Sequence, residues 1–273
     1  MLSSSRLAVT CVALISLLSI APASSSDVPT VAPSAIAERQ IVYEFERASA
    51  AGIEGAITIQ HIGDEGSQAA WILASLDFSA LDIDAVRKSD PQCKDLAKIH
   101  EFQYHIHVDW NASPRSKTSD SFAGCAKPIT GNHYDPDKAC GPSSEYAGTP
   151  QCEGKPAAQY KCTPAKYDQD PSVCEKGDLS GKVGNLVLGD NDFVNGEWKD
   201  RHFPLFAERE PHWSIVLHAV CGSATPRIAC AVGVEAKPED DADSKNGTGG
   251  DDTLNLYTGE YEETYDWIDE LRA

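Results

Sequence analysis

Residues 101–110 read EFQYHIHVDW, with His105 and His107 one residue apart inside a run of strand character. Side chains alternate faces along a strand, so the two histidines point one way and Ile106 points the other. Two imidazoles on one face, roughly 6.5–7 Å apart along the backbone, can converge on one metal ion. The same pattern also suits the polar face of an antiparallel strand with two solvated histidines. The rest of the chain has to separate these readings.

The flanking sequence keeps the strand vocabulary. QIVYEF (40–45), GAITIQHI (55–62) and QAAWILASLDFSAL (68–81) precede the histidine strand. GNLVLG (184–189), HWSIVLHAV (212–220) and RIACAVGVEA (227–236) follow it. These short runs are rich in β-branched and aromatic residues and are separated by Gly, Asp and Ser turns, which predicts an all-β domain over residues 40–234. The stretch 111–176 is long, irregular and rich in Pro, Gly and Cys. Such a loop in a compact domain is expected to be functional and stapled. Four cysteines, Cys140, Cys152, Cys162 and Cys174, lie in its second half.

Outside the domain the composition changes. Residues 1–23 carry Arg6, an apolar run and the site Ala21-Pro22-Ala23, the pattern of a secretory signal peptide. Residues 24–39 read as a flexible Ser/Pro/Ala-rich segment. No later segment is apolar enough to predict a membrane span. Once Cys11 leaves with the signal, eight cysteines remain, an even number that predicts up to four disulfides in a secreted protein. The absence of any CxxC pair argues against a zinc cluster. Asn111 and Asn246 begin glycosylation sequons.

The formal charge of −19 becomes −20 without Arg6, which disfavours nucleic acid and anionic membranes as partners. Residues 235–273 hold thirteen acids against three bases, so half of the excess sits in one tail. Tyr261, Tyr265 and Ile268 in that tail have helical spacing, which predicts a short helix for docking on the domain or on a protein partner. A frayed acidic tail fits the same residues.

Two further histidines stand in distinctive contexts: His133 in GNHYDP (131–136) and His218 in SIVLHA (214–219). Together with HIH, GDLSG (177–181) and RIACAVG (227–233), and in this order, they resemble the copper/zinc superoxide dismutases. The resemblance covers residues 40–234. It implies a Greek-key β-barrel of the immunoglobulin-like sandwich type, with long disulfide-stapled loops. It implies further that His105, His107, His133 and His218 bind copper, that Arg227 draws in superoxide, and that Cys125 pairs with Cys230. Cys93–Cys221 and the pairings among Cys140, Cys152, Cys162 and Cys174 stay open. His61, His100, His202 and His212 match no motif and read as ordinary histidines.

The departures from the family pattern are specific. No histidine occurs between His133 and His202, and Glu175 stands three residues before Asp178, where a zinc histidine would be expected. One imidazole with Glu175 and Asp178 makes a poor four-coordinate zinc site. Only eight residues separate His218 from Arg227, where the zinc-bearing members carry a long loop. Both features resemble the secreted copper-only branch. The expectation is therefore one copper per chain, no zinc, and superoxide dismutase activity by Cu(II)/Cu(I) cycling. His133 would carry the proton and be oriented by Asp178, with Glu175 behind it. The alternative is a non-enzymatic extracellular module that stores or delivers copper.

Overall fold

The computed structural model describes residues 39–111 and 122–236. The expected signal peptide, nearly all of the flexible segment, the acidic tail with its helix and the sequon at Asn246 lie outside the described residues.

Eight strands form one antiparallel sheet: β1 (Gln40–Phe45), β2 (Glu54–Ile62), β3 (Ala69–Asp77), β4 (Glu101–His107), β5 (Leu186–Val187), β6 (Phe193–Asp200), β7 (Ser214–Ala219) and β8 (Arg227–Glu235). Their spatial order is β5-β4-β7-β8-β1-β2-β3-β6. The two edge strands, β5 and β6, follow each other in the chain through a turn in which Gly189 N donates to Phe193 O. The sheet thereby curls into a nearly closed barrel. The β3–β4 connection crosses from one half of the sheet to the other, as a Greek key requires.

Alternation along the strands builds the interior. Ile57, Ile59, Ile72, Phe102, Tyr104, Ile106, Ile215 and Leu217 are buried in one cluster. Each such side chain contributes about 1.5–3 kcal/mol of transfer free energy. Ile106 belongs to this interior, so His105 and His107 necessarily face away from it.

The structure differs from the sequence reading in two places. The run 68–81 is not one strand: β3 ends at Asp77, whose carboxylate accepts from Ser79 N, and Asp82 then caps the helix Ile83–Ser89. β6 had no strand signal because it is an edge strand burying only Val194 and Asp200, with Gly196 in its middle. The stretch 111–176 is stapled as expected, in its described part, by Cys140–Cys152 and Cys162–Cys174. Cys93–Cys221 joins the β3–β4 connection to the β7–β8 turn, and Cys125–Cys230 ties a loop to β8. No helix among the described residues is long and apolar enough to cross a membrane.

His61 on β2 packs edge-on against Phe203 and Phe206, with neither ring nitrogen hydrogen-bonded. Burial, with a smaller contribution from Arg39, lowers its pKa to about 4. The unfolded chain therefore takes up this proton first as pH falls. Stability is full above about 6.5, the ordinary value, and drains away between there and about 4. The His61→Leu variant should show a shallower loss of urea stability between pH 7 and 4.5. An unchanged slope would exclude His61 as a source of acid sensitivity.

Candidate metal centre

β4 and β7 pair so that Gln103 lies opposite His218 and His105 opposite Val216. Cross-strand partners share a face, and so do Gln103 and His105, so His218 joins the two β4 histidines outside the core. A bulge between Leu217 and His218 places Arg227 of β8 across from His218. His133 comes from the loop after β4 and is pinned to its neighbours by main-chain bonds: its N–H donates to Ser143 O, and its carbonyl accepts from Glu145 N.

The four imidazoles surround a common point. Going round, the ring centroids are 4.1 Å apart for His105–His133, 4.8 Å for His133–His107, 5.7 Å for His107–His218 and 4.8 Å for His218–His105. The diagonals, His105–His107 and His133–His218, are 6.1 and 6.4 Å. One ring nitrogen from each residue lies within 4.8 Å of the other three. All four side chains are buried.

Three imidazoles have their second nitrogen hydrogen-bonded elsewhere, and that of the fourth, His105, faces a carboxylate. His107 Nδ1 meets Gly131 O at 3.1 Å, and His218 Nδ1 meets Thr225 O at 2.9 Å. A carbonyl only accepts, so these rings carry the proton on Nδ1 and leave the Nε2 lone pair free. His133 Nδ1 meets Glu175 Oε2 at 2.6 Å. His105 is turned round: its Nε2 faces Asp178 Oδ1 at 3.5 Å, and its Nδ1 is the free nitrogen. His105 Nδ1, His107 Nε2 and His218 Nε2 are all buried without a hydrogen-bond partner. Burial lowers the pKa of His105 and His107 well below the usual value and that of His218 to about 3, so the rings are neutral near pH 7. Three orphaned, neutral nitrogens in a four-membered square fit a metal that prefers tetragonal nitrogen ligation, which is the preference of Cu(II).

The carboxylates do not sit as the sequence predicted. Asp178 does not orient His133; Glu175 does so directly. Asp178 is engaged otherwise: its Oδ1 caps the helix Leu179–Val183 by accepting from Gly181 N at 2.8 Å, and its Oδ2 accepts from Tyr160. Gly177 sets both carboxylates against β4. Its N–H and carbonyl bond to Tyr134 O and Ile106 N, so closely that a Cβ would lie 2.6 Å from Ile106 O. Burial raises the Glu175 pKa, opposed by its hydrogen bond to His133.

Arg227 is half-buried beside the centre, with Nη1 donating to Thr130 Oγ1 at 2.6 Å. Burial pushes its pKa down to about 10, which leaves it charged at neutral pH. Thr130 in turn donates to Cys125 O, next to the Cys125–Cys230 bridge. The short β7–β8 turn is closed by Cys221 N donating to Ala224 O. A cleft of about 480 Å³ opens beside it, lined among others by His105, His133, His218, Glu175, Asp178 and Tyr160.

The remaining histidines lie elsewhere. His202 pairs with Asp137, His61 is under the two phenylalanines, and His100 and His212 are exposed. Asp135, Cys140 and Cys152 also cluster, but the cysteines are bonded to each other and Asp135 accepts from Ala139 N, Cys140 N and Ser144 Oγ. That cluster is structural. Thr130 and Tyr160 were missed at the sequence level, since neither stands in a motif.

No family model and no curated protein matches the chain. Among solved structures it is similar to superoxide dismutases. A variant of superoxide dismutase 5 from Candida albicans is 24% identical, with 72% of this chain and 88% of that chain covered and a TM-score of 0.41. The Cu(II) form of the same Candida albicans protein is 23% identical, with 78% and 99% covered and a TM-score of 0.42.

Proposed function

We propose that the protein is a secreted copper-only superoxide dismutase, converting superoxide to oxygen and hydrogen peroxide. The observation that carries this reading is the square of four imidazoles, three of them neutral and with a buried, unpartnered nitrogen. His105 through Nδ1, and His107, His133 and His218 through Nε2, would hold the copper. Copper bound there would supply one-electron exchange, oxidising one superoxide and reducing the next.

The protein residues divide the remaining work. Reduction of superoxide to peroxide consumes protons, and His133 is the ligand suited to bring one. Its Nδ1 partner is a carboxylate, which stabilises an imidazolium, whereas His107 and His218 rest on carbonyls. Glu175 holds the ring in place, so that Nε2, once released from the metal, would carry a proton and hand it on. Arg227 supplies the positive charge that an anionic substrate needs on a chain of formal charge −19. Screening over about 8 Å at physiological salt makes this local charge outweigh the distant net charge. Zinc has no part in this reading, because Glu175 takes the His133 nitrogen that a second metal would need. Four disulfides suit an oxidising, extracellular setting.

Metal content and superoxide dismutation, measured on the same purified protein titrated with copper and then zinc, test the proposal. The expected result is one copper per chain, no zinc, and turnover abolished in His133→Ala. Stoichiometric copper without turnover would make the protein a copper-binding module that stores or delivers the metal. One zinc beside each copper would overturn the role given to Glu175.

A further inference from the structure

Tyr160 lies in the loop segment between the two small disulfides, two residues before Cys162. Its hydroxyl does two jobs. It donates to Asp178 Oδ2 at 2.7 Å and accepts from Glu175 N at 3.0 Å. These are the two residues whose carboxylates face the centre, Glu175 at His133 Nδ1 and Asp178 at His105 Nε2. The Cys162–Cys174 bridge brings the two segments together, because Cys174 immediately precedes Glu175. Gly141 closes the arrangement from the other side. A Cβ there would lie 3.0 Å from Tyr160 Cδ1 and 2.3 Å from Glu175 Oε1, so only glycine leaves ring and carboxylate room to meet.

We propose that Tyr160 is a positioning residue for the metal centre, its hydroxyl fixing the Asp178 carboxylate that faces His105 and the main chain of Glu175, whose carboxylate holds His133. The copper role of those histidines is the reading given above, and this inference rests on it. The phenol suits the task because one hydroxyl can donate and accept at once. Burial, reinforced by Asp178 and Glu175, raises its pKa, so it remains a donor throughout the working range. The lock is one-sided. His107 and His218 are held by the main-chain carbonyls of Gly131 and Thr225 and touch neither carboxylate through a hydrogen bond. Tyr160 therefore governs the stacked pair, whose centroids are 4.1 Å apart, and leaves the other two rings alone. It also gives the Cys162–Cys174 staple a purpose beyond stability: it keeps the Tyr160 hydroxyl beside its acceptor, Asp178 Oδ2, and its donor, Glu175 N.

The test is Tyr160→Phe, which keeps the ring against Gly141 and removes only the hydroxyl. Imidazole nitrogen and N–H resonances of the metal-free protein are to be compared with wild type, and copper affinity measured by competition with a chelator. The expected result is a shift of the His105 and His133 ring signals, with faster solvent exchange of the His133 Nδ1 proton. His107 and His218 should be unmoved, and copper affinity should fall about tenfold, the lower end for losing an outer hydrogen-bond partner of a ligand. Unchanged His105 and His133 signals, or equal movement of all four histidines, would overturn the proposal. Should the variant not fold, 3-fluorotyrosine in the otherwise unaltered chain perturbs the phenol in place, and the same two histidines should respond. The metal-free spectra do not depend on turnover. An inactive wild-type protein would sink the dismutase reading and leave the lock standing, whereas unresponsive histidines in an active enzyme would sink only the lock.

Discussion

Replacing Lys182 by methionine should destabilise the protein by about 3–5 kcal/mol, the usual consequence of removing one partner of a buried ion pair. Lys182 and Asp200 are both fully buried, and they form that pair. The Lys182 ammonium also donates to Lys176 O at 2.6 Å and lies over the rings of Tyr167 and Phe203. Asp200 accepts from the Tyr167 hydroxyl and from His202 N. Methionine would fill much of the space but leave the Asp200 carboxylate charged and without its counter-ion. The double variant Lys182→Met/Asp200→Leu should recover much of the loss, because the isolated charge is gone. It should not recover all of it, since the Tyr167 hydroxyl then lacks an acceptor, at a cost of about 1–3 kcal/mol. Denaturant midpoints of the single and double variants check this. A single variant within 1 kcal/mol of wild type would mean that the pair stabilises nothing. The consequence reaches the centre, because Lys182 holds the carbonyl of Lys176, the residue between Glu175 and Gly177.

The second large effect is expected at the Cys125–Cys230 bridge, which spans 105 residues. Closing so long a loop restricts the unfolded chain strongly, and loss of such a bridge costs about 2–5 kcal/mol. Cys125→Ala/Cys230→Ala should show that loss in a denaturant titration of the oxidised protein. The same variant releases the loop bearing Thr130 and Gly131, which hold the Arg227 guanidinium and His107 Nδ1. Azide binding by the copper-loaded variant should therefore weaken along with its stability. A stable variant with unchanged azide affinity would show that the loop is positioned without the bridge.

Local pattern was enough for much of this molecule. The alternation in residues 101–107 already required His105 and His107 to share a face opposite Ile106, because strand periodicity is a property of the backbone and needs no partner. Eight cysteines after residue 23 announced the staples, and the motif contexts singled out His133, His218, Arg227, Glu175 and Asp178 as candidates. Pairing and hydrogen-bond geometry were decided elsewhere. Which small-loop cysteines join depended on the path of the chain between them. β6 stayed hidden because an edge strand with two buried positions has almost no apolar period to read. That Glu175, not Asp178, reaches His133 followed from Gly177 pressing against β4 and from the helix cap consuming Asp178. Tyr160, Thr130 and Lys182 act on groups 18, 97 and 18 residues away. Their sequence neighbourhoods carry no trace of it, since a hydrogen bond between distant segments exists only once the chain has closed around it. Sequence by itself determined the strands other than β6, the cysteine inventory and the set of histidines; tertiary structure decided which nitrogen each histidine leaves free and what holds it there.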